Sequence, residues 1–425
     1  GFSHAPAFEH HSLVPRPFAV RFFVALTADG YRAMPGGLAM TVDPDRAVAL
    51  SAPDGQTRDV WVTSDAEEQE PHVSLWRPAV ESARVERSQR VIQSRVADDL
   101  FWLGRYSERA DWTLRVLRSA LRRVEEDSGP VQGRAAACKC IAVMLDKDAA
   151  GKPREKRGDR QVEEMCAALI SGDEGHRTLK RTIEGLYRTA NLVRDRLSLE
   201  AWLSLARFRP GDTWARTIAT APPVSVLDML EEGLASIAAF NGLMHENMTR
   251  NYGWSFLDMG RRLERAFNLS EAMLSLFVPP PAGEEESASL LLLLELADSF
   301  ITYRSRYRLD PMPALVLDLL VLDETNPRSL AYQLAAISKH METLPDARQG
   351  STLAADRRLI LSLLTSVRLA DIEAIAEEDD RAGLEALLRE QVSQLPELSN
   401  AVSRHYFNLT DDAPHRVHTR SGPKP

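Results

Sequence analysis

A chain of 425 residues is long enough for two or three domains and a sizeable core. Its 44% hydrophobic and 27% charged residues are ordinary for a globular protein, and a net charge of −9 argues against a dedicated nucleic-acid binder. Three cysteines, Cys138, Cys140 and Cys166, supply neither a disulfide framework nor a second pair of metal ligands, which points to buried thiols, no metal and a reducing cytoplasm.

Residues 1–65 read as strand. Phe18–Leu26 is a strand, Ala28-Asp29-Gly30 a hairpin turn, and Tyr31–Val42 a return strand interrupted at Pro35-Gly36-Gly37; Asp59–Thr63 allows one more short strand. So small a fragment buries little apolar area, and a chain opening at Gly1 within it reads as a piece of a longer polypeptide. His10-His11 has no metal-ligand spacing. Residues 66–90, rich in Glu, Arg and Pro, read as a polar linker.

From Gln93 onward the periodicity is helical. Val96, Leu100, Leu103, Ala110, Leu114, Leu117, Leu121 and Val124 recur at steps of three, four and seven, with Ser94 a candidate N-cap and Ser128-Gly129-Pro130 a stop. Phe101, Trp102, Tyr106 and Trp112 lie off that line, so this helix is apolar on nearly every side and belongs inside an assembly. Yet its middle carries Arg105, Glu108, Arg109 and Asp111, charges that must be paired or must serve something.

Further helices are predicted over Ala135–Leu145, Gln161–Ile170, Leu179–Phe208 (one or two), Val224–Glu246 and Trp254–Phe277, with a basic loop at Lys147–Arg160. Ser287–Tyr307, Met312–Leu322, Pro327–His340, Leu353–Ile375, Arg381–Leu395 and Leu398–Phe407 complete the set, before a disordered tail, 411–425. The run Leu290–Leu294, cut by Glu295, is too short to span a bilayer, so no membrane partner is expected.

One pattern returns. Gly104-Arg105-x-x-Glu108-Arg109-Ala110 recurs 156 residues later as Gly260-Arg261-x-x-Glu264-Arg265-Ala266, with Phe256 matching Leu100 and Met259 matching Leu103. Two such copies argue for an internal duplication. The two helices are therefore expected to pack together, with Gly104 and Gly260 at the closest approach. The fold class is mainly α: a multi-helix bundle with an internal duplication, preceded by a short β-hairpin-rich fragment.

No phosphate loop, nucleophile elbow or zinc-protease motif occurs, and His245 and Glu246 have no partner at ligand spacing. What stands out is an arginine–acid inventory on apolar helices. Besides the two repeats it includes Arg194-Asp195-Arg196, Arg304-x-Arg306, Asp318 and Asp323-Glu324-x-Asn326-Pro327-Arg328. Three readings stay open: a buried network clamping two helices, an arginine pocket for a carboxylate or phosphate, and acid/base catalysis by the glutamates.

Ser94–Arg118 (SRVADDLFWLGRYSERADWTLRVLR), Val193–Trp202, Asn247–Ala266, Ser299–Arg306 and Val316–Leu334 together resemble the bacterial alpha-E domain family, named for its helical character and its Glu-Arg motifs. Pro15–Arg21, Asp29–Gly37 and Asp59–Val62 look like the C-terminal end of a circularly permuted ATP-grasp protein. The resemblance implies an ATP-grasp fragment over 1–65, with Arg16, Arg21, Gly36 and Gly37 as its remnant site, then the 66–90 linker and an alpha-E domain over 91–410. It implies an ATP-grasp domain or subunit as partner, in ATP-dependent amide or peptide bond formation. ATP and Mg2+ are expected only in the intact parent, because the acidic metal ligands lie upstream of the piece present here. The leading expectation is a non-catalytic or substrate-handling helical partner of such an amidoligase. The alternatives are an enzyme using the Glu-Arg cluster on a peptide, amide or phosphorylated substrate (a small acidic ligand), and a purely structural oligomerisation module.

Overall fold

The computed structural model of the chain describes residues 4–9, 12–27, 30–41, 57–60, 92–125, 131–146, 160–172, 177–208, 223–345, 353–377 and 381–407. The expected linker, the expected Lys147–Arg160 loop up to residue 159 and the 411–425 tail lie outside them, while Arg160 belongs to a helix. Two compact units divide the chain, Gly1–Ser88 and Gln89–Pro425.

The first unit is an antiparallel meander of β1 (His4–Glu9), β2 (Ser12–Thr27), β3 (Gly30–Thr41) and β4 (Thr57–Val60), in that order across the sheet. β1 had no sequence signal, since Pro6 and the alanines beside it break any alternation. The interruption expected at Pro35-Gly36-Gly37 falls elsewhere: β3 is continuous, with Gly37 opposite both Phe22 and Val60, and the irregularity lies in β2 between Phe22 and Val24. Phe22, Phe23 and Val24 are all more than half exposed.

The second unit is mainly helical. Its described helices are α1 (Ser94–Glu125), α2 (Val131–Asp146), α3 (Arg160–Ser171), α4 (Leu179–Leu192), α5 (Leu199–Arg207), α6 (Pro223–Asn247) and α7 (Tyr252–Phe277). They continue with α8 (Glu284–Leu296), α9 (Phe300–Tyr307), α10 (Pro313–Leu317), α11 (Leu330–Thr343), α12 (Ala355–Arg368), α13 (Ile372–Glu377) and α14 (Ala382–Tyr406). Residues Arg194–Arg196 form a 3-10 turn and Asp318–Leu322 a π-turn.

α1 is the axle. It packs against α7 above all, and against α4, α6 and α2, while α7 turns its other faces to α11 and α14. That follows from the all-round apolar character of α1: Phe101, Leu103, Ala110, Leu114 and Leu117 are fully buried, and Trp112 nearly so. Ser94 is itself the first residue of α1, and not its cap. α7 is capped by Asn251, whose side chain accepts from the Trp254 amide.

Three expected boundaries shift, each for a local reason. The Ser287–Tyr307 helix is two, because the Ser299 amide reaches back to the Leu294 carbonyl and Asp298 adopts a left-handed conformation, φ 51°. Leu353–Ile375 is likewise two, divided at Leu369–Asp371. Conversely, α14 runs through Pro396, where a break was expected. Pro396 is exposed while Gln391, Leu395, Leu398 and Val402 bury the opposite face, so tertiary packing outweighs the missing amide.

Candidate functional site

The two Gly-Arg-x-x-Glu-Arg-Ala segments meet where α1 crosses α7. A Cβ placed on Gly104 would lie 2.1 Å from the Leu257 carbonyl oxygen, and one on Gly260 would lie 2.1 Å from the Phe101 carbonyl oxygen. The contacts are reciprocal, since Leu257 follows Phe101 by the same 156 residues that separate the glycines. Only glycine lets the main chains come this close.

One turn beyond each glycine, the motif glutamate crosses to the other helix. Glu108 accepts a bidentate pair of hydrogen bonds from Arg265, at 2.5 Å from Nε and 2.7 Å from Nη2. Glu264 accepts from Arg109 at 2.6 and 3.1 Å and from Arg105 Nε at 2.8 Å. Both carboxylates are 1% exposed. Burial alone would raise their pKa values. The Arg265 charge and its hydrogen bonds outweigh that and hold Glu108 down to about 2. Arg109 and Arg105 likewise keep Glu264 well below the ordinary carboxylate range. Each helix thus neutralises the other's acid, a double lock in which neither glutamate is free to exchange a proton near neutral pH.

Around the lock lies a wider shell of charge. Arg105 also donates to Ser399 Oγ of α14 at 2.9 Å and lies 4.8 Å from the Trp102 ring centroid. Arg265 donates to the Pro327 carbonyl, in a loop tied down by the buried Asn326, which bonds the Leu319 carbonyl of the π-turn at 3.1 Å. Asp258 is held by Arg262 at 3.1 Å and by His340 of α11 at 2.9 Å, and its acidity rises despite burial because of them. Asp111 is held by Arg115 at 2.8 Å. A third buried group, Arg177 with Glu271 and Asn268 at 2.6 and 2.7 Å, braces α7 further along.

The structure therefore gathers Arg105, Glu108, Arg109, Arg261, Glu264 and Arg265 at one crossing, with Gly104 and Gly260 at its centre. It places the other named arginines elsewhere. Arg194 stacks over Trp202, Arg196 pairs with its neighbour Asp195, Arg304 lies over Phe300, and Arg306 pairs with Asp323. In the first unit Arg16 and Arg21 lie on β2, opposite Ala5 and Leu38, and Gly36 and Gly37 on β3. Asp258, Arg262, His340 and Arg177 were not singled out, and His340 lies 82 residues from its carboxylate, a separation that no local spacing announces.

Among the described residues, no three His, Cys, Asp or Glu are placed to hold a metal ion, and no helix is long and apolar enough to cross a membrane. Cys140 and Cys166 are buried thiols, and burial pushes both up to about 12. A surface hollow of about 450 Å3 over α12, lined by Arg358, Leu361 and Thr365, contains none of the motif residues.

Residues 92–407 match a protein-family model described as "a predicted alpha-helical domain with a conserved ER motif". The uncharacterized proteins Rv2567 and MT2643 of Mycobacterium tuberculosis and Mb2597 of Mycobacterium bovis are each 28% identical to the chain over 414 residues. That alignment covers 92% of the chain and 45% of each relative, so the chain spans a little under half their length. No solved structure matches it.

Proposed function

The chain belongs to the Alpha-E family, and from that premise we propose that its helical unit is a non-catalytic partner of an ATP-grasp amidoligase of the circularly permuted kind. The system would form amide or peptide bonds with ATP and Mg2+ bound by the ligase body, in a reducing cytoplasm. The observation that carries the non-catalytic reading is the double lock. A general acid or base must present an exchangeable proton to a substrate, whereas Glu108 and Glu264 are sealed between helices and saturated by guanidinium donors. That arrangement speaks for architecture over chemistry at the motif. We read the 156-residue offset as an internal duplication whose halves reassembled face to face. The strands of the first unit support the ATP-grasp part, since Phe22, Phe23 and Val24 on β2 expose apolar surface that a larger sheet would cover.

Reconstitution tests this. The intact ligase, purified with and without residues 89–425, is assayed for substrate-dependent release of phosphate from ATP. The reading expects turnover to require the helical unit in trans or in cis, and residues 89–425 alone to neither bind nor hydrolyse Mg-ATP. Hydrolysis by residues 89–425 alone, abolished by Glu108→Gln, would overturn it in favour of an enzyme in its own right.

A further inference from the structure

α5 points apolar side chains in two opposite directions. Its inner face is fixed to the bundle. Ala201 and Leu205 are fully buried, Ser204 Oγ donates to the Ser236 carbonyl of α6 at 2.8 Å, and the Tyr187 hydroxyl of α4 donates to the Leu205 carbonyl. Its start is fixed as well, since Ser198 Oγ accepts from the Ala201 amide at 3.2 Å. Leu199, Leu203 and Ala206 follow one another at steps of four and three, so they share the opposite face. Leu199 is 58% and Leu203 47% exposed, and Ala206 is exposed with them. These leucines are held outward on a firmly mounted helix, not on a frayed end. A helix apolar on two opposite faces belongs between two packed partners, and the bundle supplies one of them.

The charges beside the stripe identify the other. Glu200 and Arg207 are seven residues apart, which puts them nearly in line along one flank of the stripe. Both are exposed, and among the described residues neither forms an ion pair or a hydrogen bond. The flank is thus negative near the start of α5 and positive at its end. It complements itself in one geometry. When two α5 helices lie antiparallel about a two-fold axis beside Leu203, like flanks face each other. Leu203 then meets its own equivalent, Leu199 meets Ala206, and Glu200 comes opposite Arg207 twice over. A parallel pair would instead turn this flank to the opposite one, which carries Trp202, and leave both charges without partners.

We propose that α5 is the contact between two copies of this chain, paired antiparallel through Leu199, Leu203 and Ala206 and edged by two equivalent Glu200–Arg207 ion pairs. A helix of nine residues buries little area, so the association is weak and reversible. It requires nothing from the Glu–Arg crossing and is independent of any ligase.

Sedimentation velocity of the full chain over a range of concentrations is the test. A reversible shift from monomer to dimer is expected, weakened by salt. Leu199→Ser and Leu203→Ser should each weaken it at least tenfold, while circular dichroism shows the monomer fold retained. Glu200→Arg and Arg207→Glu should each weaken it severalfold, and the variant carrying both should recover near wild-type association because the pairs re-form with their signs exchanged. Phe22→Ser, on the exposed hairpin of the first unit, should change nothing. A chain that stays monomeric up to about 0.2 mM, where even a weak, transient interface is populated, would overturn the pairing and leave the stripe to a different protein. Association that survives Leu203→Ser, or that the double charge variant fails to restore, would overturn it equally. If Leu203→Ser loses its fold, Leu199→Ser and the charge variants decide.

Discussion

At the scale of single residues, the buried glutamates make distinct and measurable demands. Glu108→Ala leaves Arg265 as an uncompensated charge between α1 and α7, and should cost about 3–5 kcal/mol in chemical denaturation. Glu108→Gln retains acceptor geometry but loses the charge, and should fall between that variant and wild type. A change within experimental error for Glu108→Ala would mean that the lock does not stabilise the fold. The acid limb of stability carries a second signature. Glu108 titrates near 4.5 when unfolded and near 2 when folded. Over that interval the unfolded chain binds more protons, so the carboxylate's contribution is complete above pH 4.5 and is lost as pH falls toward 2. Glu264 acts in the same direction. Thermal melts from pH 5.5 to 2.5 should show a steep fall for wild type and a shallower one for Glu108→Gln. Parallel slopes would contradict the assignment.

At the scale of elements, the crossing of α1 and α7 rests on two glycines that meet main chain, not side chain. A methyl group at either position cannot be accommodated by a rotamer change, so Gly104→Ala and Gly260→Ala should each cost at least about 3 kcal/mol, the upper range for overpacking. Since both push the same two backbones apart, the double variant should lose clearly less than the sum of the single losses. Full additivity would show that the two contacts yield independently. This crossing was readable in the sequence because its signals are local: a glycine one turn from a glutamate, repeated with its flanking periodicity. Partner identity was readable only in part. Arg109 and Arg265 lie next to the motif glutamates and meet the opposite ones. Arg194 and Arg304 had the right chemistry, yet sit on segments whose side chains stack elsewhere. The end of α8 escaped notice because neither Gly nor Pro marks it, and α14 continues through a proline that marks an ending only when its neighbours are unburied.

At the scale of the whole molecule, the two units should differ in autonomy. Residues 89–425 enclose a continuous core running from Ala97 to Val402, whereas the β-unit leaves large apolar side chains of its central hairpin in water. Residues 89–425 expressed alone should melt in one cooperative transition, and residues 1–88 alone should show none by near-UV circular dichroism. A cooperative transition in the shorter fragment would refute the second expectation.

The reciprocity of the Glu–Arg lock also governs when this molecule can exist at all. The acids and bases that satisfy one another are 155 to 159 residues apart in the chain. During synthesis at about 5–20 residues per second, α1 therefore waits roughly 8–30 s with its charges and aromatic rings unmatched before α7 emerges. No partial helical unit built from the first half can bury α1 without stranding Glu108. The ribosome-bound intermediate, with its axle exposed, is the species that a chaperone would meet.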